Sequence, residues 1–397
     1  MTLAGPAGGR GNSNDGVRRH NLSVVLRLVH RSQGIPRSAL TKTTELNRST
    51  VAALVSELVE RELVIEAEPD ANNQVGRPSP VALPGPKAIA FAVNPEIDAV
   101  TVGVVGLGGA VLKRVRRPTP AVPSVADAVA ISAELIAELR AEFARGHAVV
   151  GIGVAVPGLV RVTDGVVRLA PHLNWVDEPF AAWLEAATGI PVVAANDASL
   201  GILAESTFGA GRGVGDLIYL NGGASGIGGG IISGGRSITG VEGYAGEFGH
   251  TLVRSGGDLC HCGAEGCLET EVRRDRLLAL IGLTDVDSDE LEGALLADSS
   301  PAVRREVERQ LDYLAVALRN SINILNPSTI ILGGFLGSLY AVAPGHLDEL
   351  VANQPLVAPR ELVTIVRSKL GVNRLMIGAA EIAFETVLDD PSSFQTP

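Results

Sequence analysis

The sequence predicts an α/β protein in which a small winged helix-turn-helix precedes a bilobed body. Three observations carry that expectation. Three short amphipathic stripes and two short strands occupy residues 19–84. From Lys87 onward, strands and helices alternate. The opening pattern of that stretch, strands joined by short turns, returns in the second half, as two similar lobes around a cleft would require. A chain of 397 residues is also too long for one ordinary core, so two or three domains are expected.

Residues 1–16 are rich in Gly, Asn and small side chains and lack the apolar centre of a signal peptide. A disordered tail is expected over residues 1–18, and the cytoplasm is the expected compartment. Leu22, Val25, Leu26 and Val29 then form the i, i+3, i+4, i+7 stripe of a helix over Asn21–Ser32. Gly34 ends it, and Pro36 sits where a second helix begins, with Ala39 and Leu40 inward. Asn47 caps a third helix carrying Val51, Leu54, Val55 and Leu58. Strands at Leu63–Glu66 and Val81–Leu83 form the wing, separated by the turn-rich segment Pro69–Pro80.

The net charge of −11 conceals an asymmetry. Residues 1–50 hold eight basic and two acidic side chains, a net +6 that leaves −17 on the remainder. A basic front on an acidic chain points to a polyanion at one end. Arg48, Ser49 and Thr50 open the third helix, where a recognition helix presents side chains to base edges of duplex DNA. Arg37 at the second helix and Arg77 in the wing are the candidate phosphate clamps. A helical protein-interaction domain with the same core is the alternative, and charge with arrangement together favour DNA.

The body opens with strands at Ala88–Val93, Val100–Val105 and Val111–Val115, a helix over Val125–Arg145 and a buried strand at Val149–Val154. The second half repeats this with strands at Asp216–Leu220 and Gly228–Ser233, a long helix over Ala302–Leu325 and a strand at Thr329–Leu332. A last helix near Leu375–Val387 is expected to pack back on the first lobe. First-lobe boundaries of 87–200 plus 375–390 follow, with 201–374 forming the second lobe. No apolar run, Ala148–Val156 included, is long enough to cross a bilayer.

All three cysteines fall in Cys260-His261-Cys262-Gly263-Ala264-Glu265-Gly266-Cys267. Such clustering in a chain without other cysteines favours a structural zinc ion over disulfides. Three thiolates need a fourth ligand. His250 lies ten residues upstream, and His261 is its rival, although a residue wedged between two ligating cysteines usually points away. Asp197, after Asn196 at the end of a strand from Pro191, could accept a proton from a hydroxyl. An Asn-Asp pair also makes ordinary helix caps. Glu247 and Glu269 add carboxylates on either side of the cysteine cluster.

Asn196-Asp197-Ala198, Gly246-Glu247-Phe248-Gly249-His250-Thr251, the cysteine run with Leu268-Glu269, and Asn326-Pro327 through Leu332-Gly333-Gly334 resemble the ordered signatures of the ROK family. That family comprises sugar kinases and sugar-responsive repressors on an actin-like (ribonuclease H-like) fold. The resemblance covers Lys87 to the end, and the head resembles that of the repressor branch. It implies zinc on His250, Cys260, Cys262 and Cys267. It also implies sugar contacts at Asn196, Asp197, Glu247, His250 and Glu269, with Asp197 in the kinases' base position. The family's Pro-Gly turn falls on Pro157-Gly158.

The phosphate loops separate the two branches. The second survives as Ala224-Ser225-Gly226-Ile227-Gly228-Gly229-Gly230. The first, Asp-x-Gly-Gly-Thr in the kinases, is here Asn94-Pro95-Glu96-Ile97-Asp98, where two carboxylates are expected to face phosphate oxygens. Like charges about 4 Å apart repel by about 4 kcal/mol even at an effective dielectric of about 20. The expectation is a sugar-responsive DNA-binding repressor, not an enzyme, with a duplex operator, a small sugar effector and a homodimer or homotetramer as partners. The alternative is an ATP-dependent sugar kinase with a fused head. A sensor of phosphosugars, or of no sugar, is the third possibility.

Overall fold

A computed structural model describes residues 14–68, 79–284 and 286–394. In the head, α1 (Asn14–Ser32), α2 (Arg37–Thr44) and α3 (Arg48–Glu60) stand beside strands β1 (Ile35–Pro36), β2 (Val64–Ala67) and β3 (Val81–Pro84), ordered β1-β3-β2. The stripe residues Leu22, Val25, Leu26, Val29, Leu40, Val51, Leu54, Val55 and Leu58 are all buried. The first helix is longer than its apolar stripe. Residues 14–18, expected in the tail, form its opening turn, where Asp15 favours the positive helix end and Arg18 pairs with Glu57 at 2.6 Å. Residues 1–13 of that expected tail lie outside the described residues, as do Arg77 and most of Pro69–Pro80. Pro36 does not sit inside the second helix. It is the extended N-cap, and Ile35–Pro36 pair with Val81–Ala82 as a third strand.

The two lobes share one topology. In the first, β4 (Ala88–Pro95), β5 (Ala99–Gly106) and β6 (Ala110–Pro118) form an antiparallel meander, and β7 (Ala148–Val156) lies parallel to β4. A side sheet of β8 (Leu159–Arg161), β9 (Val166–Ala170) and β10 (Trp175–Glu178) intervenes before β11 (Val192–Asn196) completes the order β11-β7-β4-β5-β6. The second lobe repeats the pattern with β12 (Leu217–Gly223), β13 (Gly226–Ser233), β14 (Arg236–Ser237), β15 (Thr329–Gly334) and β16 (Thr364–Arg367), ordered β14-β13-β12-β15-β16. Each lobe is therefore a meander whose first strand pairs with a parallel strand returning after helices, the right geometry for a crevice at the strand ends.

The head shares a core with the first lobe. One hydrophobic cluster runs from Leu22, Val29 and Leu58 in the head through Ala90, Ala92 and Leu107 to Met376, Ala380 and Phe384 of the C-terminal helix (Arg374–Asp389). That helix lies directly against β7 and against the helix Asp197–Phe208. No side chain fits between them: a Cβ on Gly153 would stand 1.7 Å from the Ala379 carbonyl oxygen, and one on Gly378 2.2 Å from that of Leu200. Gly153→Ala should therefore destabilise the protein by more than about 3 kcal/mol, at the upper end of overpacking costs. Urea titration followed by circular dichroism measures this, and a loss below about 1 kcal/mol contradicts the close approach.

Candidate functional site

Asn196 and Asp197 stand where β11 ends and the next helix begins. The Asn196 side chain caps that helix, accepting from the Ser199 N–H at 3.0 Å, and its amide donates to the Gly158 carbonyl at 3.0 Å. The cap thus ties the Pro157-Gly158 turn to the helix start. Asp197 Oδ1 accepts from the Ala198 N–H at 2.8 Å and from Asn196 Nδ2 at 3.3 Å. Burial pushes the Asp197 carboxyl up to about 6, against the Ala198 hydrogen bond and the Arg374 charge that favour its anion.

The facing wall comes from the second lobe. Glu247, His250, His261, Cys262 and Glu269 line a cleft of about 340 Å³ together with Asn196, Asp197, the Pro157-Gly158 turn and the Gly223–Gly228 hairpin. Such a volume is at the small end of small-molecule sites. All five residues expected to bind sugar meet here. Burial raises the Glu247 carboxyl, and Asp197 and Glu269 add to the effect while His250 opposes it. Several contributors carried no signal in the sequence. His172 reaches the cleft from the first lobe and packs edge-on against His261 at 5.9 Å; burial and His261 both lower its basicity. Asn221 lines the cleft floor and accepts from Arg374 at 2.9 Å. These arrive through tertiary pairing of distant segments, which no local spacing encodes.

The ligand atoms of His250, Cys260, Cys262 and Cys267 all lie within 4.8 Å of one another and could hold a metal ion. Cys262 and Cys267 sulfurs are 3.7 Å apart, and Cys260 Sγ is 3.6 Å from His250 Nδ1. A disulfide requires about 2.05 Å. A tetrahedral ion with bonds of about 2.3 Å to sulfur and about 2.05 Å to nitrogen sets edges of about 3.8 and about 3.6 Å. The donor set therefore fits a tetrahedral metal. His261 stands outside this four-atom group. Its Nδ1 lies 3.1 Å from Glu269 Oε1, and its ring faces the cleft.

The first phosphate loop differs from expectation in its charge. Glu96 accepts from Asn94 Nδ2, Thr101 Oγ1 and Arg116 Nε at 3.1, 2.8 and 3.1 Å, and Asp98 accepts from Arg116 at 2.7 Å. One guanidinium bridges both carboxylates, so the segment carries one net negative charge instead of two bare anions, and side chains replace two glycines of the kinase pattern. In the head, Arg48 and Ser49 are exposed and Thr50 half-buried at the start of α3, where Asn47 Oδ1 accepts from Thr50 N at 2.8 Å. Arg37 is turned toward the wing and bonds Glu66 at 2.6 Å instead of standing free.

The profile of the ROK family matches residues 93–386. A putative xylose repressor of Caldicellulosiruptor sp. is 28% identical over 94% of this chain and 98% of its own length. A glucokinase of Thermotoga maritima is 31% identical over 76% of this chain and 99% of its own length. Among solved structures, a ROK family transcriptional regulator described as a homologue of E. coli MLC superposes with a TM-score of 0.76 at 26% identity, covering 94% of this chain and 97% of that one. A Streptomyces griseus glucokinase solved with glucose and AMPPNP reaches 0.62 at 26% identity over 74% and 98%. The bilobed body is thus the actin-like sugar-kinase fold.

Because Asp197 ionises only near pH 6 when folded, above the ordinary carboxylate value of 3.8, its charge costs stability. The cost is absent below pH 3.8, grows between there and pH 6, and is complete above. Asp197→Asn should stabilise the fold by about 1–2 kcal/mol at pH 7.5 and by nothing near pH 3.5. Thermal unfolding at the two values checks it, and an equal shift at both contradicts the buried-carboxylate assignment.

Proposed function

Because this chain belongs to the ROK family, we propose that it is a sugar-responsive transcriptional repressor, which binds operator DNA through its head and sugar in the interlobe cleft. One observation carries the reading: similarity to xylose repressors runs through head and body alike, whereas the Thermotoga maritima glucokinase matches 76% of the chain. The retained cleft supports it as well. Asp197 and Glu269 can accept sugar hydroxyls in charge-assisted hydrogen bonds without any transfer step. The first phosphate loop carries side chains where backbone must approach a nucleotide, which favours a receptor over a kinase. No helix among the described residues is long and apolar enough to cross a membrane.

The metal of the four-ligand site is zinc in this reading, since three thiolates and an imidazole in tetrahedral array suit that ion. His250 would serve twice. Its Nδ1 faces Cys260, while its Nε2 lies on the Glu247 side, 3.9 Å from that carboxylate. Zinc on Nδ1 fixes the tautomer that leaves Nε2–H to donate to a sugar hydroxyl. Sugar closing the cleft changes the lobe angle and, in a homodimer, the separation of two heads on their half-sites. Arg48, Ser49 and Thr50 read bases, Arg37 holds the wing and contacts phosphate at its edge, and Arg77 is the wing's phosphate contact.

Two experiments test this. Fluorescence anisotropy with a short duplex enriched by the protein from a random pool should show tight binding that Arg48→Ala weakens about tenfold. D-xylose, the first sugar to try given the relatives' names, or D-glucose should shift that affinity at least about fivefold. A coupled assay with Mg-ATP and both sugars should show no turnover; turnover establishes the kinase instead. Separately, Cys262→Ser should lower zinc content measured by atomic absorption and weaken sugar affinity about tenfold or more. Full sugar response in a zinc-free variant removes the coupling through His250.

A further inference from the structure

The head is bonded both to the C-terminal helix of the body and to the Leu107–Gly109 turn of the first lobe. His30 on α1 is 1% exposed, and its Nδ1 accepts from the Gly108 N–H at 2.9 Å. The proton is therefore on Nε2, which donates to both oxygens of Glu381 at 3.0 Å. Glu381 belongs to the C-terminal helix and is 4% exposed. Two further residues of α1 bond along the same face: Ser23 Oγ donates to the Leu388 carbonyl at 2.6 Å, and Arg27 bridges Glu385 and Asp389 at 2.6 Å to each. A buried imidazole–carboxylate bond in an apolar core is costly to leave unmade, so this joint has one register.

The other end of the same helix meets the cleft. Arg374 crosses from the first lobe to the second, donates to Asn221 and lies over the Tyr219 ring at 5.7 Å. Asn221 lines the cleft itself. Arg374 Nε is buried and has no partner among the described residues, so the contact is incomplete in this arrangement of the lobes. The chain entering the helix is pinned as well. The Lys369 and Leu370 N–H groups both donate at 3.0 Å to Glu205, a buried carboxylate on the helix that Asp197 opens. Between its two ends the helix touches β7 and the Asp197 helix backbone to backbone at Gly153 and Gly378, two points with no side chain between the elements.

We propose that the C-terminal helix carries the effector signal as a rigid rod, with Arg374 reading the position of the second lobe and the Glu381–His30 joint delivering it to the DNA-binding head. This rests on the reading of the cleft as a sugar site. His30, Glu381 and Arg374 are positioning residues, none of them touching sugar or DNA. A displacement of the second lobe pulls on Arg374, the stiff helix moves together with the first-lobe elements it is packed against, and α1 follows because His30 is bonded both to Glu381 and to the Gly108 turn of that lobe. Interfaces of this kind are bistable, not elastic, and can turn a small shift at a site into a discrete one elsewhere.

The test uses the full chain, D-xylose and D-glucose, and the selected duplex. In the unmodified protein, hydrogen exchange should change on sugar addition in α1 and the C-terminal helix together. Glu381→Gln and His30→Gln should keep sugar affinity by calorimetry within about threefold, whereas Arg374→Met, which also removes a charge that favours the Asp197 anion, is compared at saturating sugar. The ratio of DNA affinities without and with sugar should fall from at least about fivefold to below about twofold. Arg374→Met combined with Glu381→Gln should reduce the ratio no further than either alone, as two points on one path require. If a joint variant does not fold, Arg374→Met and the exchange experiment still decide. Sugar-dependent exchange confined to the cleft, or variants with the full ratio, overturns the rod. A wild-type protein that ignores both sugars removes the reading of the cleft, and the rod with it.

Discussion

The direct contact of the C-terminal helix with β7 and with the Asp197 helix is the constraint on which the rest of the structure depends. Glycine at 153 and 378 lets backbone meet backbone, so the helix is part of the first lobe and not a cap upon it. Three things follow from one packing event. The Asp197 helix is fixed at the mouth of the parallel strands, the head gains a surface to bury its apolar stripe against, and the crossing into the second lobe occurs at Arg374. A helix held through side chains alone would transmit less, because each rotamer layer absorbs part of any displacement.

This packing also explains why the head is not a tethered module. A three-helix winged domain of this size has a marginal core by itself. Here Leu22, Val29 and Leu58 continue into Met376, Ala380 and Phe384, and the polar bonds of Ser23, Arg27 and His30 fix the azimuth of α1 on that surface. Apolar burial sets how firmly the head is held; the buried histidine sets in which orientation. The two roles differ because hydrophobic contact is non-directional and the hydrogen bond is not.

Much of this was legible in the chain. Apolar periodicity located the first and third head helices, and strand runs separated by tight turns located the first meander and the opening hairpin of the second, because each signal needs only residues near in sequence. The candidate metal cluster was legible for the same reason: three cysteines within eight residues and a histidine ten residues before them can meet locally, with His261 the rival that the fold leaves outside the four. His172, Asn221, Arg374 and the His30–Glu381 joint were not legible. Each acquires its role from a partner dozens to hundreds of residues away, and His30 in the sequence is one more polar position on an amphipathic helix. The charge of the first phosphate loop was misjudged for a related reason. Arg116, which bridges Glu96 and Asp98 and offsets one of their two charges, sits two strands along and enters the loop only through the register of the meander.

The repeat of one topology in both lobes gives the cleft its chemistry. In each lobe a glycine-containing turn and the end of a parallel strand face the other, but the lobes have diverged in what they present. The first contributes a desolvated aspartate at a helix start. The second contributes the Gly223–Gly228 hairpin and a separate loop that holds a histidine–cysteine cluster. A carboxylate that ionises only near pH 6 is destabilising unless a ligand satisfies it, and a loop that must present Glu247, His250 and Glu269 on one face needs an internal brace. The stability lost at Asp197 is tolerable because the head, the C-terminal helix and the first sheet bury one continuous core around it. In the proposed reading, a polyol bound here would restore the hydrogen bonds that burial removed, and linkage would tie its occupancy to lobe closure and to any element that the closure displaces.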